Sequence, residues 1–228
     1  MIDEDLRIGM SMHGLALAWH YFPHSWAVKV GKMKSPYEVF HDDKLFLAAI
    51  KKRFKRGTYF SPSGLRKALR THSGAQGVSN FRPTAAASIY HRYLSGTGNC
   101  VWDMSGGFGG RMLGAAVSDK VGHYICTDPS TDTYDGLREL ATDMYYWNQD
   151  MRVTVEKVGS EFYVPEPNSL DFCFTSPPYF DTERYSDEAS QSYKMYTKVD
   201  DWNEKFLRST IQNLSLIHIS EPTRRYAI

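Results

Sequence analysis

Beyond residue 99 the sequence alternates short apolar runs with longer stretches of helical spacing, and no other feature restricts the available folds as much. The apolar runs are Cys100–Met104, Tyr124–Thr127, Arg152–Val158 and Asp171–Thr175. A helix starting near Gly110 is expected between the first two, and another, from about Tyr134 to Asn148, between the second and third. Strands that alternate with helices pair as parallel neighbours joined by crossovers. This part of the chain therefore predicts an α/β fold on a parallel sheet.

Before residue 99 the texture is helical or irregular. Val39, Phe40, Leu45, Phe46, Ala49 and Ile50 have helical spacing and predict one helix from Pro36 to Arg56, ended by Gly57. A second helix follows Ser61-Pro62-Ser63, with Leu65 and Leu69 on one side. A third follows Asn80-Phe81-Arg82-Pro83 and runs through Ala85, Ile89 and Tyr93. The expected division is a mostly helical N-terminal region over 1–79 and a core over 80–213. Lys51, Lys52, Arg53, Lys55 and Arg56 form one basic cluster, and Arg66, Lys67 and Arg70 a second. Each reads equally well as a nucleic-acid contact or as a solvated helix face.

Composition sets the outer bounds. At 228 residues and 42% hydrophobic, the chain is long enough to bury a real core. Its net charge of +1 does not by itself indicate a nucleic-acid partner, because only local clusters matter for phosphate contact. Cys100, Cys126 and Cys173 have the spacing of neither a zinc site nor a disulfide framework, which suggests buried free thiols and a cytoplasmic location. No stretch is long enough to span a membrane, so no membrane partner is expected. The segment Leu214–Arg224 resembles a translated sequencing adapter. Residues 214–228 are accordingly set apart from fold reasoning, and His218 is not read as a ligand.

The first predicted strand ends in Asp103-Met104-Ser105-Gly106-Gly107-Phe108-Gly109-Gly110. Glycines there let the backbone turn sharply and approach a ligand at a helix N-terminus. The second strand ends at Asp128, where a carboxylate is placed to accept both hydroxyls of a ribose. A dinucleotide fingerprint would need a further glycine at the position of Met112, so that pattern fails. A phosphate-binding loop would need Gly-Lys-Ser/Thr, which is absent.

The fourth strand runs into Ser176-Pro177-Pro178-Tyr179. Two prolines fix φ and hold the preceding residues extended, which leaves a rigid polar turn capped by an aromatic ring. Such a turn suits an exocyclic amino group on a nucleobase. That nitrogen is a poor nucleophile because its lone pair is delocalised into the ring. Two fixed acceptors, the Ser176 hydroxyl and the Pro177 carbonyl, favour a pyramidal nitrogen, and Tyr179 can stack on an extruded base.

Together, in this order, the acid-x-x-Gly-x-x-Gly turn, Asp128 and Ser-Pro-Pro-Tyr resemble motifs I and IV of the S-adenosylmethionine-dependent DNA amino-methyltransferases. Over residues 80–213 the resemblance implies an α/β, Rossmann-like class I methyltransferase core whose sheet is incomplete. It implies S-adenosyl-L-methionine as cofactor, held by Asp103, Ser105, Gly107, Phe108, Gly109 and Asp128. Asn80-Phe81-Arg82-Pro83 resembles motif X and Gly159-Ser160-Glu161-Phe162 resembles motif III, which adds Phe81 and Glu161 to the cofactor set. Ser176, Pro177, Pro178 and Tyr179 are the implied catalytic residues. The implied reaction is in-line methyl transfer to N4 of cytosine or N6 of adenine in DNA, with no metal and no covalent intermediate. The serine form of motif IV leans toward cytosine. A restriction endonuclease is among the implied partners. Phe180 to Tyr193 is expected as a mobile loop closing over the site, followed by a helix from Asp201 to Leu207. RNA or protein amide methylation, and an inactive nucleic-acid-binding module, remain as alternatives.

Overall fold

The computed structural model describes residues 11–55, 57, 59, 61–71 and 74–215. Arg56 of the first basic cluster and residues 216–228, with His218, lie outside the described residues. The described chain begins with α1 (Leu15–Tyr21), a 3-10 turn (Pro23–Trp26) and β1 (Lys29–Val30). Four helices follow: α2 (Pro36–Phe40), α3 (Asp43–Lys55), α4 (Pro62–Arg70) and α5 (Pro83–Tyr93). Then come β2 (Asn99–Asp103), α6 (Gly110–Ala116), β3 (Val121–Thr127), α7 (Thr131–Tyr145), β4 (Arg152–Glu156), β5 (Phe172–Cys173) and β6 (Glu183–Arg184). The described chain ends with α8 (Ser192–Met195) and a helix that passes from α9 (Val199–Trp202) through a π-helical segment (Asn203–Arg208) into α10 (Ser209–Ser215).

The central sheet is four-stranded and wholly parallel, in the order β4-β3-β2-β5. The chain winds outward from β2 through β3 to β4, then returns to place β5 on the other side of β2. This reversal leaves a crevice at the C-terminal ends of β2 and β5, because the connections leaving those two strands diverge there. β5 is shorter than the expected Asp171–Thr175. Single bonds extend its pairing, from the Asp171 amide to the Cys100 carbonyl (2.9 Å) and from the Phe174 amide to the Trp102 carbonyl (3.2 Å).

Alternation along the strands divides the core in two. Val101, Tyr124 and Cys126 face the larger cluster, where they meet Met112, Leu113, Leu137 and Leu140 of α6 and α7. Trp102 and Ile125 point the opposite way, into a smaller cluster with Leu170 and Tyr163, against which Leu214, the first residue of the adapter-like segment, also packs. Ala18, Tyr21, Phe22 and Val28 of the N-terminal region belong to the larger cluster, so α1 is part of the layer that covers the sheet. Burying side chains of this size stabilises the fold by roughly 1.5–3 kcal/mol each. Cys100, Cys126 and Cys173 are free thiols, but of the three expected to be buried only Cys126 is; Cys100 and Cys173 are half-buried.

One helical expectation needs correction. The single helix from Pro36 is two helices, because Asp42 interrupts it and its Oδ1 accepts the Leu45 amide (3.1 Å) as a new cap. Ser35 and Glu38 cap α2 reciprocally. The expected helix through Ala85, Ile89 and Tyr93 is α5, and its buried residues are Pro83, Ala86, Ser88 and Tyr90. The partner helix dictates this phase. An added Cβ on Gly114 of α6 would lie 2.4 Å from Ala86 Cβ, so the two helices touch where both residues are small.

Candidate active site

The turn after β2 depends on backbone that only glycine adopts without strain. Gly109, with φ +68°, precedes α6, and a Cβ there would lie 2.6 Å from Leu140 Cδ2. At Gly110 a Cβ would lie 2.0 Å from the Phe81 carbonyl oxygen. The start of α6 is thereby pressed against residues 80–81, and the Asn80 side-chain amide donates to the Phe108 carbonyl (2.8 Å). The glycine turn and the segment before α5 form one wall.

A buried ion pair lies under this wall. Arg111 Nε donates to Asp103 Oδ2 (2.7 Å), the Tyr124 hydroxyl donates to the same oxygen (2.5 Å), and the Arg111 guanidinium also donates to the Ser105 carbonyl. Burial disfavours the Arg111 cation, but the adjacent Asp103 charge outweighs it and holds the guanidinium pKa above its ordinary value. Asp103 was expected among the cofactor contacts. It does not line the cavity: it is fully buried, and Oδ2 is shared between Arg111 and Tyr124.

Asp128 follows β3. Its Oδ2 accepts the Gly107 amide (3.0 Å) and its Oδ1 the Ser130 amide (3.1 Å). Burial pushes its carboxyl up to about 7, against the opposing pull of those two amides. Glu161 sits in a 3-10 turn (Ser160–Phe162) after β4. Its Oε1 accepts from the Tyr196 hydroxyl (3.3 Å), while Oε2 is buried with no hydrogen-bond partner among the described residues. Burial raises the Glu161 pKa as well. An orphaned buried acceptor is costly unless something else supplies a donor.

Opposite these carboxylates, the chain leaving β5 presents Ser176, Pro178 and a largely solvent-exposed Tyr179 ring. The next residue, Phe180, has φ +49°, a left-handed conformation that a bulky side chain seldom adopts. The Thr182 amide closes this turn onto the Tyr179 carbonyl (3.0 Å). Backbone strain of this kind persists only where surrounding contacts impose it.

The segment from Phe180 to Tyr193 covers the site, and several bonds fasten it. β6 pairs antiparallel with β1, a pairing absent from the sequence expectations. Glu188 accepts from the Thr131 amide (2.9 Å) and hydroxyl (3.1 Å), which caps α7 from a distant loop. The Ser190 hydroxyl donates to the Pro129 carbonyl (3.1 Å), and the Tyr193 hydroxyl to the Ser186 carbonyl (2.8 Å).

These walls enclose a cavity of about 430 Å³, within the range that holds small-molecule ligands. Phe81, Ser105, Gly107, Phe108, Asp128, Glu161, Ser176, Pro178 and Tyr179 line it, while Asp103, Gly109 and Pro177 do not. The sequence reading missed Arg111, Tyr185, Gln191 and Phe206, which also line it. Arg111 carried a usable signal, being a cation immediately after a glycine-rich turn. The other three reach the cavity only through tertiary packing. Among the described residues, no group of three or more His, Cys, Asp or Glu side chains is arranged to hold a metal ion. No helix there is long and apolar enough to cross a membrane. No protein-family model matches this chain, and no curated protein does.

Proposed function

We propose that this chain carries the S-adenosylmethionine-binding core of a DNA amino-methyltransferase, with a Rossmann-like sheet. One observation carries the reading: the glycine turn with Asp128, and the Ser176–Tyr179 turn, open into the same cavity from the two sides of the strand-order reversal. A nucleoside site and an acceptor site must share a cavity if a group is to pass between them.

The donor set fits the cofactor. Asp128 offers a carboxylate for ribose hydroxyls, and Glu161 Oε2 is a buried acceptor in need of a donor such as an adenine amino group. Phe81 and Phe108 add apolar walls. When bound, S-adenosylmethionine supplies a methyl group activated by its sulfonium. The Ser176 hydroxyl, which lines the cavity, accepts a hydrogen of a base amino group and thereby orients its lone pair inward; Pro177, expected to supply a second acceptor, is not among the lining residues. Tyr179 stacks on the extruded base, whose unstacking costs a few kcal/mol that these contacts offset. The loop held by Glu188 limits water access to the cavity.

The test is calorimetric titration with S-adenosylmethionine, followed by incubation with unmethylated DNA and labelled cofactor and nucleoside mass spectrometry. Label in N4-methylcytosine or N6-methyladenine supports the reading and identifies the base. Cofactor binding with label only in RNA or protein moves the substrate class, and absence of cofactor binding removes the reading.

A further inference from the structure

Between Lys44 and Trp102 the sequence holds eleven Lys and Arg residues and no Asp or Glu. The rest of the chain is correspondingly acidic, which is why the overall charge of +1 conceals the asymmetry. The fold concentrates much of this charge on α3 and α4. Leu45, Phe46 and Ala49 of α3 and Leu65 and Leu69 of α4 pack into a small core with Val39 and Ala75. Lys44, Lys51 and Lys55 then fall within one stripe on the opposite side of α3, since seven- and eleven-residue steps nearly close whole helical turns. Lys52 flanks the stripe, and Arg66 and Lys67 lie on α4. All six side chains are exposed, and none forms an ion pair among the described residues.

The basic pair of helices is tied to the rim of the cavity at both ends. On entry, the Gly31 amide donates to the Thr182 carbonyl (2.7 Å), three residues beyond Tyr179. On exit, the Arg70 guanidinium stacks over Trp19 (4.6 Å) and donates to the Val78 carbonyl, just before the cavity-lining Ser79–Arg82. Two such ties hold the pair at a fixed place relative to Tyr179.

We propose that α3 and α4 form a docking surface for the sugar–phosphate backbone of duplex DNA, which delivers a base to the cavity. The inference rests on the proposed function for its substrate class. Charge complementarity supports it, as does the spacing of the cations. At about 1.5 Å per residue, Lys44, Lys51 and Lys55 span roughly 16 Å, enough for several phosphates along a duplex. An anionic membrane surface is less suited, because an interfacial helix needs its apolar face for lipid and that of α3 is already packed.

The experiment measures binding of a labelled duplex of about 20 bp to the full chain, as a function of salt between about 50 and 200 mM. The probes are wild type, the triple variant Lys51→Gln/Lys52→Gln/Lys55→Gln, and the control Arg138→Gln/Lys157→Gln/Lys198→Gln, which removes equal charge elsewhere. Loss of three phosphate contacts is expected to weaken binding at least ~10-fold and to flatten the log–log salt slope by about 2.7. The control should keep most of the wild-type slope.

Three results overturn the proposal: no duplex binding by wild type, an unchanged slope in the triple variant, or an equal loss in the control. Labelled methyl transfer to DNA is read in parallel. Transfer with an unchanged slope sinks the surface alone. A lysine-dependent slope without cofactor binding sinks the methyltransferase reading and leaves the surface standing.

Discussion

The Gly107 amide donates to Asp128 Oδ2 across 3.0 Å, which joins the turn after β2 to the end of β3. The bond fixes the floor of the cavity from two separate βα units. It also leaves a buried carboxyl group with both oxygens on backbone amides and no counter-cation bonded to it among the described residues.

That environment gives stability a pH dependence of definite sign. Asp128 keeps its proton up to about pH 7 in the folded chain, against an ordinary carboxyl value of 3.8. The folded state binds more protons between those limits. Its contribution is therefore complete below the ordinary value and is lost as pH rises through about 7, with a ceiling of ~4 kcal/mol. Asp128→Asn cannot ionise, so it should gain stability relative to wild type by ~1–3 kcal/mol between about pH 5 and about pH 8. Urea unfolding at both pH values checks this. A difference that does not change with pH rules it out.

Arg111→Met should leave Asp103 charged and unpaired beneath the glycine turn. Breaking a buried pair from one side costs roughly 3–5 kcal/mol. Chemical denaturation should show a loss of that order. A loss below ~1 kcal/mol would mean that Tyr124 and the surrounding dipoles suffice to hold the carboxylate.

Tyr179 is largely exposed, so Tyr179→Ala should change stability by less than ~0.5 kcal/mol. Under the proposed function it removes base stacking worth ~1–3 kcal/mol, or about 5- to 150-fold in methyl transfer. Cofactor affinity should stay at the wild-type value. Calorimetry and single-turnover methylation of one preparation separate the two effects, and unaltered transfer would remove Tyr179 from its role.

Glu188→Ala should uncap α7 and release the covering loop from Thr131. Loss of a helix cap costs about 0.5–2 kcal/mol. Hydrogen exchange should rise at Thr131 and across 186–192, and protection equal to wild type would show that β6 and Ser190 fasten the loop alone.

Much of the core's organisation was readable before any coordinates. The period of the apolar residues identified the strands and helices from Cys100 to Asn148 within a few positions, because alternation and helical spacing are local properties. The glycine turn, Asp128 and Ser176–Tyr179 were readable for the same reason: each is a short stretch whose backbone demands particular residue types. The phase of α5 was not assigned, and Ala86 faces inward where Gly114 lies against it.

Sequence alone determined the four strands of the parallel sheet and where the turns after β2 and β5 bend, for these follow from local sterics and periodicity. Tertiary structure decided which side chains face one another. It turned Asp103 inward to Arg111, left Glu161 Oε2 without a donor at the cavity, and brought β6 to β1 and Glu188 to Thr131. Such pairings join residues far apart in the chain. They depend on how whole elements pack, which no local pattern encodes.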